Sequence, residues 1–233
     1  MRCQVKHLLL DEIFYSECSC CKRRINYQKY LCTQCLWSLR NLFVKNYCYN
    51  CGFPTGINSN YCRYCLEKKN FQYAYFNFFY KGAVKIIIRQ IKFNNSIKAI
   101  YLLKYISRKM LKIDLIRKYD IITTIPTHWM RKFKRFAHPA DIIAKELSKR
   151  KAIPFKKVLK RLRLTKYQWT LERSERLKNV KGSFSLGFKV NGLNILLIDD
   201  IYTSGATLNE ACLVLKRAGA NAVDCYILAK SVL

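Results

Sequence analysis

The sequence contains few acidic residues. Its 233 residues include 14 Asp and Glu against 44 Lys and Arg, which gives a formal net charge of +30. Such an excess of positive charge repels itself and attracts polyanions, because cationic side chains displace the counterions of a charged backbone. The imbalance therefore favours nucleic acid as a partner. The alternative is a lysine-rich coding bias, since the chain is also rich in Asn, Ile and Tyr.

Long apolar runs are absent as well. No run approaches the roughly 18 residues needed to span a bilayer. The apolar residues 8–10 are followed at once by Asp11 and Glu12, which leaves too short a segment for a signal-peptide core. We therefore expect a soluble, cytoplasmic protein with no integral membrane segment. Contact of its basic surface with anionic lipid stays open.

Cysteine is scarce after residue 65. Ten of the twelve cysteines precede residue 66, and only Cys212 and Cys225 follow it. This break in composition predicts a small module over residues 1–70 and a larger domain over residues 71–233, joined near residues 67–70. Cys212 and Cys225 fall in apolar segments, where they are predicted to be small buried hydrophobic side chains.

Eight of the early cysteines form a regular array. Each half reads C-x2-C-x10-C-x2-C, and the second half repeats the first after thirty residues, which indicates a duplicated unit. The two-residue gap lets both sulfurs of a pair approach one Zn²⁺, which prefers four such ligands in a tetrahedron. The array predicts two structural zinc sites. Their ligands are Cys18, Cys21, Cys32, Cys35, Cys48, Cys51, Cys62 and Cys65.

Other interpretations of the array are weaker. A disulfide framework requires a secreted protein, and redox chemistry requires one reactive pair rather than four in register. We expect each half to bind its own ion, and a cross-brace between the halves is the alternative. Cys3 and Cys20 are not expected to be ligands. Four sulfur ligands leave no open position for water, so the zinc sites are predicted to be structural.

The remainder of the chain alternates strands with helices. Strands are predicted at residues 73–80, 121–125, 195–198 and 222–229, and helices at residues 83–91, 97–111, 140–147 and 207–216. Such alternation is typical of an α/β domain with a mostly parallel sheet flanked by helices.

A strand, two acids and a small turn precede the helix predicted at residue 207. The backbone N–H groups at a helix N-terminus bind anions, and Gly205 lets the backbone approach them. Asp199 and Asp200 suit the vicinal hydroxyls of a ribose, or a Mg²⁺ nearby. A simple helix cap also favours Asp, Ser and Thr, but does not explain both acids and the hydroxyl–Gly–hydroxyl run. The loop is therefore predicted to bind a phosphate monoester.

This loop resembles that of type I phosphoribosyltransferases. Residues 18–230 resemble more specifically the ComF family of competence-associated proteins, which join a double zinc ribbon to such a domain. The early family features appear as Tyr80-Lys81-Gly82 and Lys92-Phe93. The middle features appear as Arg161, Arg163, Thr165, Gln168, Leu171, Arg176, Asn179 and Phe184.

The resemblance implies a ligand, phosphoribosyl pyrophosphate, and a role for each part of its site. Asp199 and Asp200 would be the catalytic residues that hold the ribose hydroxyls, together with Mg²⁺. The pyrophosphate would lie on Pro126, Thr127 and Arg131, under a mobile flap formed by residues 163–180. The 5′-phosphate would lie on Thr203, Ser204, Gly205, Ala206 and Thr207.

One segment departs from the family. The family usually has Arg-Gly-Phe-Asn after the pyrophosphate loop, whereas Arg135 is followed here by Phe136-Ala137-His138. Without the glycine the backbone there can differ from the family's, so the resemblance implies pyrophosphate binding, and hence turnover, less strongly than it implies the rest of the site. His138 precedes Pro139 and is interpreted as a polar residue at a helix start, with a catalytic base as the alternative.

Two basic stretches contain interleaved aromatic residues. In residues 131–136 the cations alternate with Phe133 and Phe136, and residues 156–169 follow a similar pattern. Single-stranded nucleic acid is held in this way without sequence preference, although a solvated face is equally compatible with the pattern. The predicted nucleic-acid contacts are Arg131, Lys132, Lys134 and Arg135.

Three functions follow from these features. A ComF-like protein would bind phosphoribosyl pyrophosphate, handle incoming single-stranded DNA in natural transformation, and contact other competence proteins such as a helicase. A nucleobase salvage phosphoribosyltransferase is the first alternative, but it needs neither eight zinc cysteines nor a charge of +30. A non-catalytic zinc adaptor with a ligand-sensing domain is the second. The acceptor of any transfer reaction stays open.

Overall fold

The computed structural model describes residues 15–26, 29–56, 62, 65, 69–111, 114–127, 136–162 and 180–231. The strands are β1 (Tyr15–Glu17), β2 (Arg24–Asn26), β3 (Ala74–Phe79), β4 (Ile121–Thr124), β5 (Leu159–Arg161), β6 (Phe184–Leu186), β7 (Asn194–Tyr202) and β8 (Ala222–Lys230). The helices are α1 (Thr33–Asn41), α2 (Gly82–Asn94), α3 (Ile97–Lys109), α4 (Pro139–Lys151) and α5 (Ala206–Arg217). None of the described helices is both long and apolar enough to cross a membrane.

A four-stranded sheet in the order β3-β8-β7-β4 forms the centre of the molecule, and all of its pairings are parallel. Eight of the nine residues of β8 are buried, as expected for a strand covered on both faces. Parallel strands need crossover connections, which α2, α3, α4 and α5 supply. The predicted α/β fold with a parallel sheet is confirmed.

Each face of the sheet is covered by different helices. Because side chains alternate along a strand, Leu196 and Ile198 of β7 pack in the core that α2, α3 and α4 form. Ile195 and Leu197 lie in the other core, with α5. Cys212 of α5 and Cys225 of β8 are fully buried in that second core, as predicted, with their sulfurs 3.6 Å apart.

The cysteine-rich segment packs directly on this sheet. Val44 N–H donates to the Asn77 carbonyl at 2.9 Å, and Ala74 N–H donates to the Cys51 carbonyl at 3.0 Å. Leu39 of α1 belongs to the first core and Phe53 belongs to the second. The division between residues 70 and 71 stays a prediction, and the segments on its two sides share both apolar cores.

Asp224 anchors the connection that precedes β4. This aspartate is fully buried near the start of β8 and accepts a hydrogen bond from Tyr73 N–H at 2.8 Å. The Tyr119 hydroxyl donates to its other oxygen at 2.7 Å, and Arg117 Nε lies 2.8 Å from that same oxygen. A buried carboxylate with three such partners is well compensated, so the chain before β4 is fixed against β3 and β8.

Candidate functional site

The strand that carries the two acids is longer than predicted. The sequence predicted a strand at residues 195–198, but β7 continues to Tyr202. The reason lies in its neighbours: pairing with β4 ends at Ile198, whereas pairing with β8 continues to the Tyr202–Lys230 pair. The acids thus lie within a strand, one step beyond the carboxyl end of β4. This is the edge at which open parallel sheets bind ligands.

Asp199 and Asp200 project toward opposite faces of the sheet, as consecutive residues of a strand do. Asp200 is 4% exposed and lies on the side of α2. There Lys92 Nζ donates to Asp200 Oδ1 at 2.8 Å and lies 2.6 Å from Oδ2. The sequence had marked Lys92 only as a family feature. Its position one residue after the buried Ile91 was a signal that it turns toward the sheet.

Asp199 has a different electrostatic environment. Burial, and then the charge of Asp200, raise the pKa of Asp199 to about 7, against the opposing effects of Lys92, the Asp200 N–H and Arg161. The Asp200 N–H donates to Asp199 Oδ1 at 2.8 Å. Near neutral pH this carboxyl is therefore divided between its protonated and ionised forms. A group of this kind binds a proton, a cation or a hydroxyl donor.

Gly205 forms the turn between β7 and α5. Its φ is +77°, which confirms that this position needs a glycine. The expected reason was access for a phosphate, but a nearer constraint exists: a Cβ at Gly205 would lie 2.4 Å from the Tyr202 hydroxyl oxygen. The Tyr202 ring packs edge-on against Phe53 and Phe76, with centroids 5.3 Å and 5.4 Å away. The turn therefore packs on an aromatic cluster, to which the cysteine-rich segment contributes Phe53.

The helix after this turn begins at Ala206, one residue earlier than predicted. Asn209 N–H donates to the Gly205 carbonyl at 2.8 Å and closes the first turn. Ala206 N–H lies 3.4 Å from Ser204 Oγ. The first N–H groups of α5 consequently project from the same edge of the sheet as the two acids, which is the arrangement an anion requires.

A cleft of about 750 Å³ opens beside the carboxyl end of β4. Pro126 and Thr127, two of the three predicted pyrophosphate residues, line it, as does His138, whereas the third, Arg131, lies outside the described residues. Arg161 also lines it, with its Nη1 3.4 Å from the Pro126 carbonyl oxygen and its guanidinium 5.3 Å from the Phe184 ring centroid. Residues 199–207 do not line this cleft, so within the described residues the two predicted ligand segments are neighbours at the sheet edge without sharing one cavity.

Asp141 is a cleft residue that the sequence did not single out. Thr124 Oγ1 donates to it at 2.7 Å and Lys157 Nζ donates to it at 2.6 Å. Although burial opposes the change, these hydrogen bonds and the positive charge nearby lower the pKa of Asp141 below its usual range. Asp141 thereby ties α4 to the end of β4. His138 lies immediately before α4 with Pro139 at the first turn, which confirms its position at a helix start.

The cysteines form two compact groups. In each group the four sulfurs lie within 4.8 Å of one another. The sulfurs of Cys21 and Cys32 are 3.6 Å apart, and those of Cys62 and Cys65 are 3.8 Å apart. Four thiolates at about 2.3 Å from a tetrahedral Zn²⁺ are separated by about 3.8 Å, so both groups fit that ion.

The grouping follows the order of the sequence. Cys18, Cys21, Cys32 and Cys35 form the first group, and Cys48, Cys51, Cys62 and Cys65 form the second. The sequential arrangement is thus the one observed, rather than a cross-brace. Cys20 is in neither group, as expected.

Comparison with known proteins agrees with this geometry. Residues 137–231 match the phosphoribosyl transferase domain family, and the match includes both acids, Gly205 and α5. The chain is 25% identical to Competence protein F of Haemophilus influenzae over 228 residues, covering 94% of this chain and 98% of that protein. It is 26% identical to DNA utilization protein YhgH of Escherichia coli K12, covering 92% of this chain and 90% of that protein. The chain resembles the ComF family along almost its whole length.

Solved structures similar to this ComF-like chain include phosphoribosyltransferases. One is glutamine phosphoribosylpyrophosphate amidotransferase from B. subtilis complexed with ADP and GMP, with 20% identity and a TM-score of 0.42. That match covers 60% of this chain and 30% of the other. A purine phosphoribosyltransferase from Pyrococcus horikoshii has 18% identity and a TM-score of 0.31, with 57% of this chain and 80% of that one covered.

Part of the predicted site of the ComF-like chain lies outside the described residues. This applies to the predicted nucleic-acid contacts Arg131, Lys132, Lys134 and Arg135, and to nearly all of the predicted flap, residues 163–179. The flanks of the flap are described: β5 and β6 pair antiparallel, with Arg161 opposite Phe184.

Proposed function

We propose that this ComF-like chain binds phosphoribosyl pyrophosphate with Mg²⁺ at the edge formed by β7 and α5, and that it handles incoming single-stranded DNA in natural transformation. One observation carries the proposal. Asp199 and Asp200, the positive-φ turn at Gly205 and the start of α5 lie in sequence order within the matched domain. This order supports the proposal, because acceptors suited to a diol and donors suited to a phosphate are the two chemistries that this ligand needs.

The 5′-phosphate is assigned to the β7–α5 turn. Thr203, Ser204 and Thr207 supply hydroxyls there, and the first N–H groups of α5 supply backbone donors with the positive end of the helix dipole. The pyrophosphate is assigned to Pro126 and Thr127, in the loop that follows the neighbouring strand β4. Both assignments are those that the family resemblance implies, and they are supported by the geometry of parallel strands, whose carboxyl ends form one edge.

The ribose hydroxyls are assigned chiefly to Asp199. Asp200 is held by Lys92, which leaves Asp199 as the half-buried acid of the pair. Its oxygens have the chemistry of Mg²⁺ ligands. When bound, Mg²⁺ supplies positive charge that stabilises the departing pyrophosphate. The zinc groups are assigned a structural role, since four thiolates fill the coordination of the ion.

The DNA role is supported by charge and by relatives. The relatives are named for competence and for DNA utilization. The net charge of +30 provides the electrostatic attraction that non-specific binding to a single strand requires. A salvage transferase for free bases would not need this charge.

Ligand-induced thermal stabilisation tests the proposal. A ligand that binds only the folded state raises its apparent stability, so millimolar phosphoribosyl pyrophosphate with Mg²⁺ should raise Tm by several degrees. Asp199→Asn with Asp200→Asn should retain the fold and lose most of the shift, because neutral amides are poorer partners for Mg²⁺. No shift in the wild-type protein would refute the ligand assignment. Consumption of the ligand with a free base alone would instead favour the salvage function.

A further inference from the structure

Helix α3 presents tyrosines and cations on one exposed stripe. Tyr101 and Tyr105 are 50% and 44% exposed, Lys104 lies between them, and Arg108 follows one turn later. Residues three and four apart share one face of a helix, so these four side chains form a continuous row. The opposite face is buried in the first core. Aromatic rings beside cations on an exposed face can stack on bases while the cations neutralise phosphates.

The neighbouring helix extends this row with further cations. Lys145 and Lys149 of α4 line the same cleft as Lys104. Lys104 Nζ lies 5.0 Å from the centroid of the Tyr101 ring, which aligns the charge with the aromatic face. We call this surface the α3–α4 track. It consists of Tyr101, Lys104, Tyr105, Arg108, Lys145 and Lys149.

The cleft beside the track has a strong excess of positive charge. Among the residues that the structure describes, six cations and two acids line it. Both acids already have cationic partners, because Asp141 accepts from Lys157 and Glu146 lies 3.6 Å from Arg108. Arg108 keeps 56% of its side chain exposed despite that contact. The charge of the cleft therefore favours a polyanion.

We propose that the α3–α4 track binds single-stranded nucleic acid, with the phosphates along the lysines and bases stacked on Tyr101 and Tyr105. This rests on the proposed role in DNA handling and gives it a location, distinct from the contacts predicted at residues 131–135. A single strand fits better than a duplex, because only unpaired bases offer their faces to exposed rings. Pro126 and Thr127 line the same cleft, so the track leads to the segment assigned to pyrophosphate.

Fluorescence anisotropy with a single-stranded oligothymidine tests the track. Tyr101→Ala with Tyr105→Ala should weaken binding about thirtyfold or more, whereas Tyr101→Phe with Tyr105→Phe should retain near wild-type affinity. The matched control is Trp37→Ala with Tyr49→Ala. These two side chains are 69% and 63% exposed and lie outside the track. That control should bind as the wild type does.

A second set of variants tests the charges. Neutralising Lys104, Lys145 and Lys149 to Gln should lower the slope of log affinity against log salt by about 2, since each phosphate contact on a single strand contributes about 0.7. The control neutralises Lys181, Lys189 and Arg217, which are exposed residues outside the track. Its salt slope should stay close to that of the wild type.

Several outcomes would overturn the track. If the wild type binds the oligonucleotide and the track variants bind equally well, while Lys132→Glu with Arg135→Glu weakens binding, the DNA role stands and the contact lies elsewhere. Equal affinity of the wild type for duplex and single-stranded DNA would also contradict the track. So would track variants that lose binding to anionic lipid vesicles but keep their affinity for the oligonucleotide. If the wild type binds no DNA, the proposed DNA role itself fails. Cooperative thermal unfolding without ligand, at a Tm close to that of the wild type, shows that each variant is folded.

Discussion

At the residue scale, two adjacent acids in one strand have been given different environments. Asp200 faces α2, where Lys92 compensates its burial with contacts at 2.6 Å and 2.8 Å. Asp199 faces the other way, and burial with the Asp200 charge raises its pKa to about 7. The difference arises from strand alternation alone, because it directs one carboxylate toward a cation and the other toward the ligand edge.

Replacing Asp199 should change how stability depends on pH. The native carboxyl has a pKa of about 7 against an ordinary value of 3.8, so the native state holds a proton that the unfolded chain has lost in between. Stability should therefore fall as pH rises from about 4 to about 7. Asp199→Asn should flatten this fall and raise stability near pH 8. Denaturant unfolding across this range measures it, and parallel curves for both proteins would contradict the prediction.

Gly205 and Gly192 provide a matched pair of turn glycines. Their φ values are +77° and +74°, but a Cβ at Gly192 meets nothing within 4 Å, whereas one at Gly205 meets the Tyr202 ring. Gly192→Ala should cost about 1 kcal/mol of stability from backbone strain alone. Gly205→Ala should cost more, and should also reduce the thermal shift with phosphoribosyl pyrophosphate. An equal loss of stability in both variants would show that the Tyr202 side chain moves away from the new Cβ at little energetic cost.

The sequence predicted this residue-scale picture in part. The order of acids, hydroxyls and glycine indicated a strand, a tight turn at Gly205 and a helix start, because those preferences are local. The Lys92–Asp200 pair and the packing of Tyr202 on Phe53 and Phe76 join residues far apart in the chain. No local pattern specifies such contacts. The helical spacing of Lys92 from the apolar residues of α2 indicated only that it turns toward the sheet, not which partner it meets.

At the element scale, periodicity identified the helices and strands of the central sheet, and their lengths were decided by neighbours. The prediction for β7 was wrong by four residues because β8 continues to pair with it after β4 ends. The β5–β6 pairing was not predicted, since three-residue strands carry too little pattern. The cysteine array was the most informative element: spacing alone predicted both groups.

The two cysteine groups should differ in their effect on the ligand site. Cys21→Ser and Cys62→Ser should each release about one of two zinc ions, which metal analysis measures. The second group lies beside Phe53, which packs on Tyr202 under the Gly205 turn, whereas the first belongs to the core of α2 and α3. Cys62→Ser should therefore reduce the ligand-induced thermal shift more than Cys21→Ser does. Equal reductions would mean that the aromatic cluster does not couple zinc to the turn.

At the scale of the whole molecule, the duplicated cysteine unit spans both sides of one sheet. Cys18 and Cys32 belong to the core covered by α2, α3 and α4, whereas Cys48 and Cys51 belong to the core covered by α5. The repeat therefore places similar metal groups in different surroundings. Sequence composition predicted a boundary at residue 70. Only the packing shows that the cysteine-rich segment before this boundary contributes to both cores.

The net charge of +30 leads to the last prediction. If the charge serves DNA binding, affinity for a single strand should fall steeply with salt, with a log–log slope of about −3 for four or five phosphate contacts. If the charge arises only from coding bias, the cations do not form a defined set of phosphate contacts. It would give a shallow slope that any three neutralised cations reduce equally. The two acids of the cleft already have cationic partners, which leaves the cleft with an excess of positive charge. We therefore expect the slope to depend on which cations are neutralised rather than on total charge. Salt titrations of the wild type and of both triple-neutralised variants measure this difference directly.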